Sequence, residues 1–128
     1  MKRFVLFAIL IFLFLGCASA PVKSGPAEPE TWDFGRVKEG LVLKHDFVIR
    51  NTSKETLNIQ KVHTSCGCTT SGVKKKTILP GEKTFIEVQF NSKGYSGPVQ
   101  QHIYVNTDSL DNPILKFIIK AEVVKEAR

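Results

Sequence analysis

The sequence predicts an all-β domain over residues 31–124, built as a sandwich of two sheets with about seven strands. Beyond Thr31, apolar residues recur at every second position, which is the period of a strand with one buried face. Turn-forming residues recur about every ten positions, a spacing typical of all-β folds. After the first 17 residues no segment shows the apolar period of an amphipathic helix. An open barrel of similar strands is the alternative.

The alternation is clearest in the second strand. Phe47 and Ile49 share one face with His45, while Lys44 and Asp46 lie on the other. His45 is therefore expected to be a core or edge histidine with a satisfied hydrogen bond. The full set of predicted strands is 31–37, 41–50, 57–62, 69–73, 84–90, 101–106 and 114–124.

Two further features of the domain come from turn chemistry and from its single tryptophan. Residues 51–53 form a glycosylation sequon, but behind a bacterial export signal we interpret them as a turn. Pro80 and Gly81 predict a tight turn before the fifth strand. Trp32 is expected to pack over one end of the sandwich.

The N-terminus has the composition of an export signal. Lys2 and Arg3 precede an unbroken apolar run over residues 4–15, and small residues follow at Gly16 and Cys17. Twelve helical residues rise about 18 Å, which is too short for a bilayer core of roughly 30 Å. This segment is therefore predicted to direct export and then to be removed.

Residues 14–17, Phe-Leu-Gly-Cys, resemble a bacterial lipobox, which predicts a signal peptide over 1–17 and a lipid on Cys17. Cleavage after Ala20, which would give soluble secretion, is the alternative. Lipidation would make Ala18 the second mature residue, which favours sorting to the outer membrane in double-membraned bacteria. The predicted location is the bacterial cell envelope, facing the periplasm in such an organism.

Between signal and domain lies a segment suited to a flexible tether. Residues 18–30 contain three prolines, one glycine and no large aromatic residue, so they cannot build a core. Residues 125–128 are predicted to be a polar tail.

The charge of the chain is a weak guide to its partners. The formal charge of +6 falls to +4 once Lys2 and Arg3 leave with the signal. The one dense basic run, residues 74–76, lacks interleaved aromatic residues and is predicted to be a solvated loop. We therefore expect no nucleic-acid partner, but a membrane contact through the anchor and a protein partner in the envelope.

The segment with distinctive chemistry is Cys66-Gly67-Cys68. Cysteines two apart can approach within disulfide range, and Gly67 frees the backbone for the small ring. The pair could be a static disulfide, a reducible bond that exchanges with other thiols, or a cross-link to a partner. It could also bind Cu(I), with His63 supplying a nitrogen.

The sequence shows no carboxylate pair, Ser-His-Asp set or glycine-rich phosphate loop, so no catalytic residue and no cofactor are predicted. The favoured function is a non-enzymatic, lipid-anchored binding or scaffolding domain. The alternative is thiol–disulfide exchange or copper binding through Cys66 and Cys68.

Four motifs, taken together and in this order, carry a resemblance to a known family. They are Trp32-Asp33-Phe34-Gly35-Arg36-Val37, His45-x-Phe47-x-x-x-Asn51, Ser65-Cys66-Gly67-Cys68-Thr69 and Leu79-Pro80-Gly81-Glu82. The chain resembles the bacterial domain-of-unknown-function family 1573, which occurs in lipoproteins and exported proteins. The resemblance implies an immunoglobulin-like sandwich related to the domains of the abnormal-spindle and hydin group. It implies no established catalytic role and no function for the Cys-Gly-Cys element.

Overall fold

Nine strands form two sheets in residues 25–26 and 29–126, which are the residues that the computed structural model describes. The strands are β1 Gly25–Pro26, β2 Thr31–Lys38, β3 Val42–Arg50, β4 Leu57–Thr64, β5 Thr69–Val73, β6 Thr77–Ile78, β7 Lys83–Asn91, β8 Gly97–Thr107 and β9 Ile114–Val124. One sheet has the order β1-β3-β7-β5, and the other has the order β2-β9-β8-β4-β6. This is the immunoglobulin-like, two-sheet arrangement that the sequence predicts.

The seven longer strands are the seven predicted from the sequence. β1 and β6 have two residues each and are too short to show a period. β1 comes from within the segment 18–30, so part of the expected tether pairs with β3. The export signal and Cys17 lie outside the described residues. No helix in the described part of the chain is long and apolar enough to cross a membrane.

The core lies between the two sheets, where the inward residues of each strand meet. Phe47 of β3 and Phe117 of β9 stack with 4.8 Å between ring centroids and so join the two sheets at the centre. The other buried apolar side chains are Ile49, Leu57, Ile59, Ile78, Ile86, Val88, Phe90, Ile103, Val105, Leu115, Ile119, Ala121 and Val123. Alternation along most strands thus produces one continuous core.

One open side of the sandwich is covered by aromatic rings. Trp32 on β2 stacks flat on His45 of β3, with ring centroids 4.1 Å apart, and His45 contacts Phe47 edge to face. His45 is half-buried, as its place on the apolar face predicts. Trp32 keeps 44% of its surface exposed and bridges β2, an edge strand of one sheet, and β3 of the other sheet.

A buried asparagine organises the turn after β3. The side chain of Asn51 is fully buried, and its Nδ2 donates hydrogen bonds to the carbonyl oxygens of Glu55 (2.7 Å) and Ile78 (2.8 Å). Its Oδ1 accepts hydrogen bonds from the backbone N–H and the hydroxyl of Ser53. A buried, fully bonded amide has no room for a glycan, so the structure supports a turn at this sequon.

Candidate functional site

The Cys-Gly-Cys element lies where the chain crosses from one sheet to the other. β4 belongs to the five-stranded sheet and β5 to the four-stranded sheet, and residues 65–68 connect them. The backbone N–H of Thr69 donates to the carbonyl oxygen of Cys66 (3.3 Å), which closes a tight turn. The hydroxyl of Thr64 lies 2.8 Å from the carbonyl oxygen of Thr69 and braces the same turn.

Cys66 and Cys68 form a disulfide across this turn, with their α-carbons 5.4 Å apart. Both cysteines are half-buried, and Gly67 between them is exposed. Of the two cysteines in the described part of the chain, only Cys68 packs against the hydrophobic core. The bond is therefore held by the fold on one side and open to solvent on the other.

A tyrosine hydroxyl contacts both sulfur atoms. The O–H of Tyr95 donates a hydrogen bond to Sγ of Cys68 (2.8 Å) and lies 3.3 Å from Sγ of Cys66. The ring is fixed by an edge-to-face contact with Phe90, 5.5 Å between centroids, and the Tyr95 N–H donates to the carbonyl oxygen of Ser92. A donor at this distance stabilises a negatively charged sulfur more than a neutral one, so it favours a thiolate at Cys68.

Sequence reasoning missed Tyr95 because it lies 27 positions beyond Cys68. The two residues meet through pairing of β5 with β7, in which Thr69 is opposite Phe90. Nothing in the local spacing of either residue encodes that register.

A depression of about 400 Å³ opens beside Cys68. Its lining consists of Val42, Gly67, Cys68, Gln89, Asn91 and Lys93. The depression gives solvent access to this part of the disulfide. Lys93, which is exposed, adds a positive charge to the lining and would further favour a thiolate there.

The histidine proposed as a copper ligand is engaged elsewhere. His63, on β4, stacks on Tyr104 of β8 with 5.1 Å between ring centroids. Among residues 25–26 and 29–126, no three or more His, Cys, Asp or Glu residues are grouped so that they could hold a metal ion. The structure thus brings Cys66 and Cys68 together and does not assemble His63 with them into a three-ligand site.

β5, which begins directly after the disulfide, is an edge strand with an open outer side. The N–H of Lys74 bonds to the carbonyl oxygen of Phe85, and the N–H of Asn91 bonds to the carbonyl oxygen of Cys68. In an antiparallel ladder such bonds alternate, so the backbone groups of Ser71 and Val73 point away from β7. No strand of the described residues pairs with this side.

A groove of about 280 Å³ runs between β5 and β4. It is lined by Ile59, Lys61, Val62, Ser71, Gly72, Val73 and Lys76. The charged groups in this lining are both positive, and both lysines are exposed. The groove therefore combines apolar contact surface, unpaired backbone groups and positive charge at one edge of the sandwich.

A family model described as "Protein of unknown function (DUF1573)" matches residues 26–123. The match includes all the strands except the first residue of β1 and the last residue of β9. None of the proteins with curated descriptions matches the chain.

Solved structures with the same fold include proteins of very different sizes. A protein of unknown function from Porphyromonas gingivalis W83 superposes with a TM-score of 0.65 and 21% identity, covering 73% of this chain and 44% of that one. The secreted serine protease VesC of Vibrio cholerae gives a TM-score of 0.65 at 10% identity, covering 83% of this chain and 24% of the protease. This chain thus spans less than half the length of either protein.

A third similar structure is the ASH / PapD-like domain of human CEP192. Its TM-score is 0.61 at 10% identity, with 84% of this chain and 94% of that domain covered. At these identities the likenesses show the fold alone. They agree with the immunoglobulin-like relationship that the sequence motifs imply.

Proposed function

The chain belongs to the DUF1573 family of proteins of unknown function, and we propose that its domain is a non-catalytic protein-binding module of the bacterial cell envelope, held at a membrane by a lipid on Cys17. The observation that carries this proposal is the open outer side of β5. An edge strand exposes unpaired N–H and C=O groups that can pair with an extended segment of another chain.

The composition of β5 suits such pairing. Soluble proteins protect their edge strands with charged residues, prolines or bulges, whereas Thr69–Val73 contains neither charge nor proline. Its pairing with β7 is in continuous register from Thr69 to Val73, so the edge is unbroken. β5 can therefore accept another strand without rearrangement.

The groove beside β5 indicates the chemistry of the partner segment. Val62 and Val73 offer apolar contacts, and Lys61 and Lys76 supply positive charge. An extended segment that presents both apolar and acidic side chains on one face fits this surface, because the apolar residues would enter the groove and the acidic residues would meet the lysines. The proposed partner is therefore an envelope protein with such a segment.

Replacing Ser71 tests the proposal. Ser71→Pro removes the outward N–H and adds a ring on the open side, and it removes no bond to β7. Ser71→Ala is the matched control, since it keeps the N–H.

The full-length chain and both variants would be crosslinked in intact envelopes and purified, and the partners identified by mass spectrometry. We expect the same envelope protein with the native chain and Ser71→Ala, and its loss with Ser71→Pro. Equal recovery with all three chains, or nothing above background, would reject binding at β5.

Thiol–disulfide exchange at Cys66 and Cys68 is the second candidate function, favoured by the contact of the Tyr95 hydroxyl with both sulfur atoms. A disulfide with a hydroxyl donor beside its sulfur atoms and with solvent access is suited to reversible reduction. Cu(I) binding, the other possibility for this pair, requires the reduced thiols. Native mass spectrometry of the reduced protein with added Cu(I) distinguishes the two, since only copper binding adds the mass of the metal.

A further inference from the structure

We propose that an external thiol attacks Sγ of Cys66 and that Cys68 is the leaving sulfur, with Tyr95 as the hydrogen-bond donor that stabilises it. This inference rests on the exchange function proposed above. It adds which of the two sulfur atoms is attacked and assigns a role to Tyr95. The surroundings of the leaving sulfur support it.

The surroundings of Cys68 favour negative charge on its sulfur. The Tyr95 hydroxyl lies 2.8 Å from Sγ of Cys68, against 3.3 Å from Sγ of Cys66. Lys93 lines the depression that opens beside Cys68. A phenol O–H at short distance lowers the free energy of a thiolate, and a positive charge in the same depression acts in the same direction.

Cys66 also has a donor, because the backbone N–H of Cys68 lies 3.0 Å from its sulfur. This donor is a single neutral amide on the turn that the disulfide closes. Cys68 has the shorter hydroxyl contact and shares its depression with a positive charge, so the balance favours charge on Cys68.

The reaction then balances in two steps. An external thiolate forms a bond to Sγ of Cys66 while the Cys66–Cys68 bond breaks, and the electron pair passes to Sγ of Cys68, which keeps its hydrogen bond from Tyr95. A second external thiolate attacks the external sulfur of the mixed disulfide. This releases an external disulfide and the Cys66 thiolate, so two external thiols are oxidised and the pair is reduced by two electrons. In reverse, the Cys68 thiolate attacks the mixed disulfide at Cys66.

The first test locates the mixed disulfide in the native sequence. The full-length oxidised protein would be mixed with reduced glutathione, quenched with N-ethylmaleimide and mapped by peptide mass spectrometry. We expect glutathione on Cys66 and N-ethylmaleimide on Cys68. Glutathione on Cys68 and N-ethylmaleimide on Cys66 would overturn the assignment of the leaving sulfur but would still support thiol–disulfide exchange. If glutathione fails to open a bond that a phosphine reductant opens, the exchange function and this inference both fail.

The second test uses the two tyrosines of the chain, Tyr95 and Tyr104. Tyr95→Phe should slow reduction by glutathione about tenfold, the effect of losing a charge-assisted hydrogen bond. In the reduced protein, the pH profile for alkylation of Cys68 should move to higher pH, which a purely structural role would not produce. Tyr104→Phe, the matched control, removes the hydroxyl of a ring that stacks on His63 and should change neither. Unchanged rates and profiles in Tyr95→Phe would overturn the role of Tyr95.

Discussion

The side-chain amide of Asn51 donates a hydrogen bond to the carbonyl oxygen of Ile78 (2.8 Å), and this bond joins the turn after β3 to the short strand β6. The backbone of Asn51 serves the same corner, since its N–H donates to the carbonyl oxygen of Glu82 and its carbonyl oxygen accepts from the N–H of Gly81. One residue therefore links the turn after β3, strand β6 and the turn before β7 at this end of the sandwich.

Asn51→Ala should lower the free energy of unfolding by about 3 kcal/mol, because it removes the hydrogen bonds that a fully buried amide makes to Ser53, Glu55 and Ile78. The measurement is urea unfolding followed by the fluorescence of the single tryptophan. Lys54→Ala, an exposed change in the same turn, is the control and should be nearly neutral. Equal effects of the two changes would contradict the role assigned to the asparagine amide.

The fold could be predicted from sequence because most strands bury one face. β7 shows this well, since Thr84, Ile86, Val88 and Phe90 are buried and the residues between them are not. The tight turn before β7 was also predictable. Gly81 has a φ of +80°, and a glycine with positive φ after proline is the pattern of that turn.

The details of the candidate site could not be predicted, because they depend on strand register and not on period. Tyr95 reaches Cys68 through the pairing of β5 with β7, and the groove beside β5 depends on how the sheet edges approach each other. The two cysteines were predictable as a pair because only one residue separates them in the sequence. The placement of His63 on Tyr104 required knowing that β4 pairs with β8.

Two surface carboxylates should make the domain lose stability in acid. Hydrogen bonds from Lys75 and from the backbone of Leu79 lower the pKa of Glu82 below its ordinary 4.5, and hydrogen bonds from the side chain and backbone of Asn58 lower the pKa of Asp108 below 3.8. A lowered pKa in the folded state means that the unfolded chain takes up protons first as the pH falls. The stabilisation is therefore present above about pH 4.5 and is lost below it.

The check is the urea midpoint at pH 7 and at pH 3, for the native chain and for Glu82→Gln combined with Asp108→Asn. The double variant should lose less stability between the two pH values than the native chain does, because its amides do not titrate. Asp111→Asn, which removes an exposed carboxylate of the same loop as Asp108, is the control and should behave like the native chain. Identical acid sensitivity of the native chain and the double variant would contradict the assignment.

Replacing Cys66 and Cys68 together by serine should cost little stability. A disulfide stabilises mainly by restricting the unfolded chain, and a bond between residues two apart restricts it least. The loop-entropy relation gives about 1.5 kcal/mol for such a ring, below the 2–5 kcal/mol typical of native disulfides. Urea unfolding of the oxidised native chain and the double variant measures the difference. A loss above about 4 kcal/mol would favour a purely structural bond over a reducible one.

The lipid on Cys17 is the remaining prediction, and intact-mass measurement of the mature chain from bacterial membranes tests it. We expect a chain that begins at Cys17 and carries acyl chains, because their buried methylene groups, at about 0.8 kcal/mol each, would hold the domain at the membrane. The Cys17→Ser variant should lack the mass of the lipid and should yield no lipid-bearing chain in the membrane fraction. The Cys66 and Cys68 double variant is the control and should keep the lipid. A mature chain that begins at Pro21 without lipid would instead establish cleavage after Ala20. The proposed binding at β5 would then take place in solution, since that surface does not depend on Cys17.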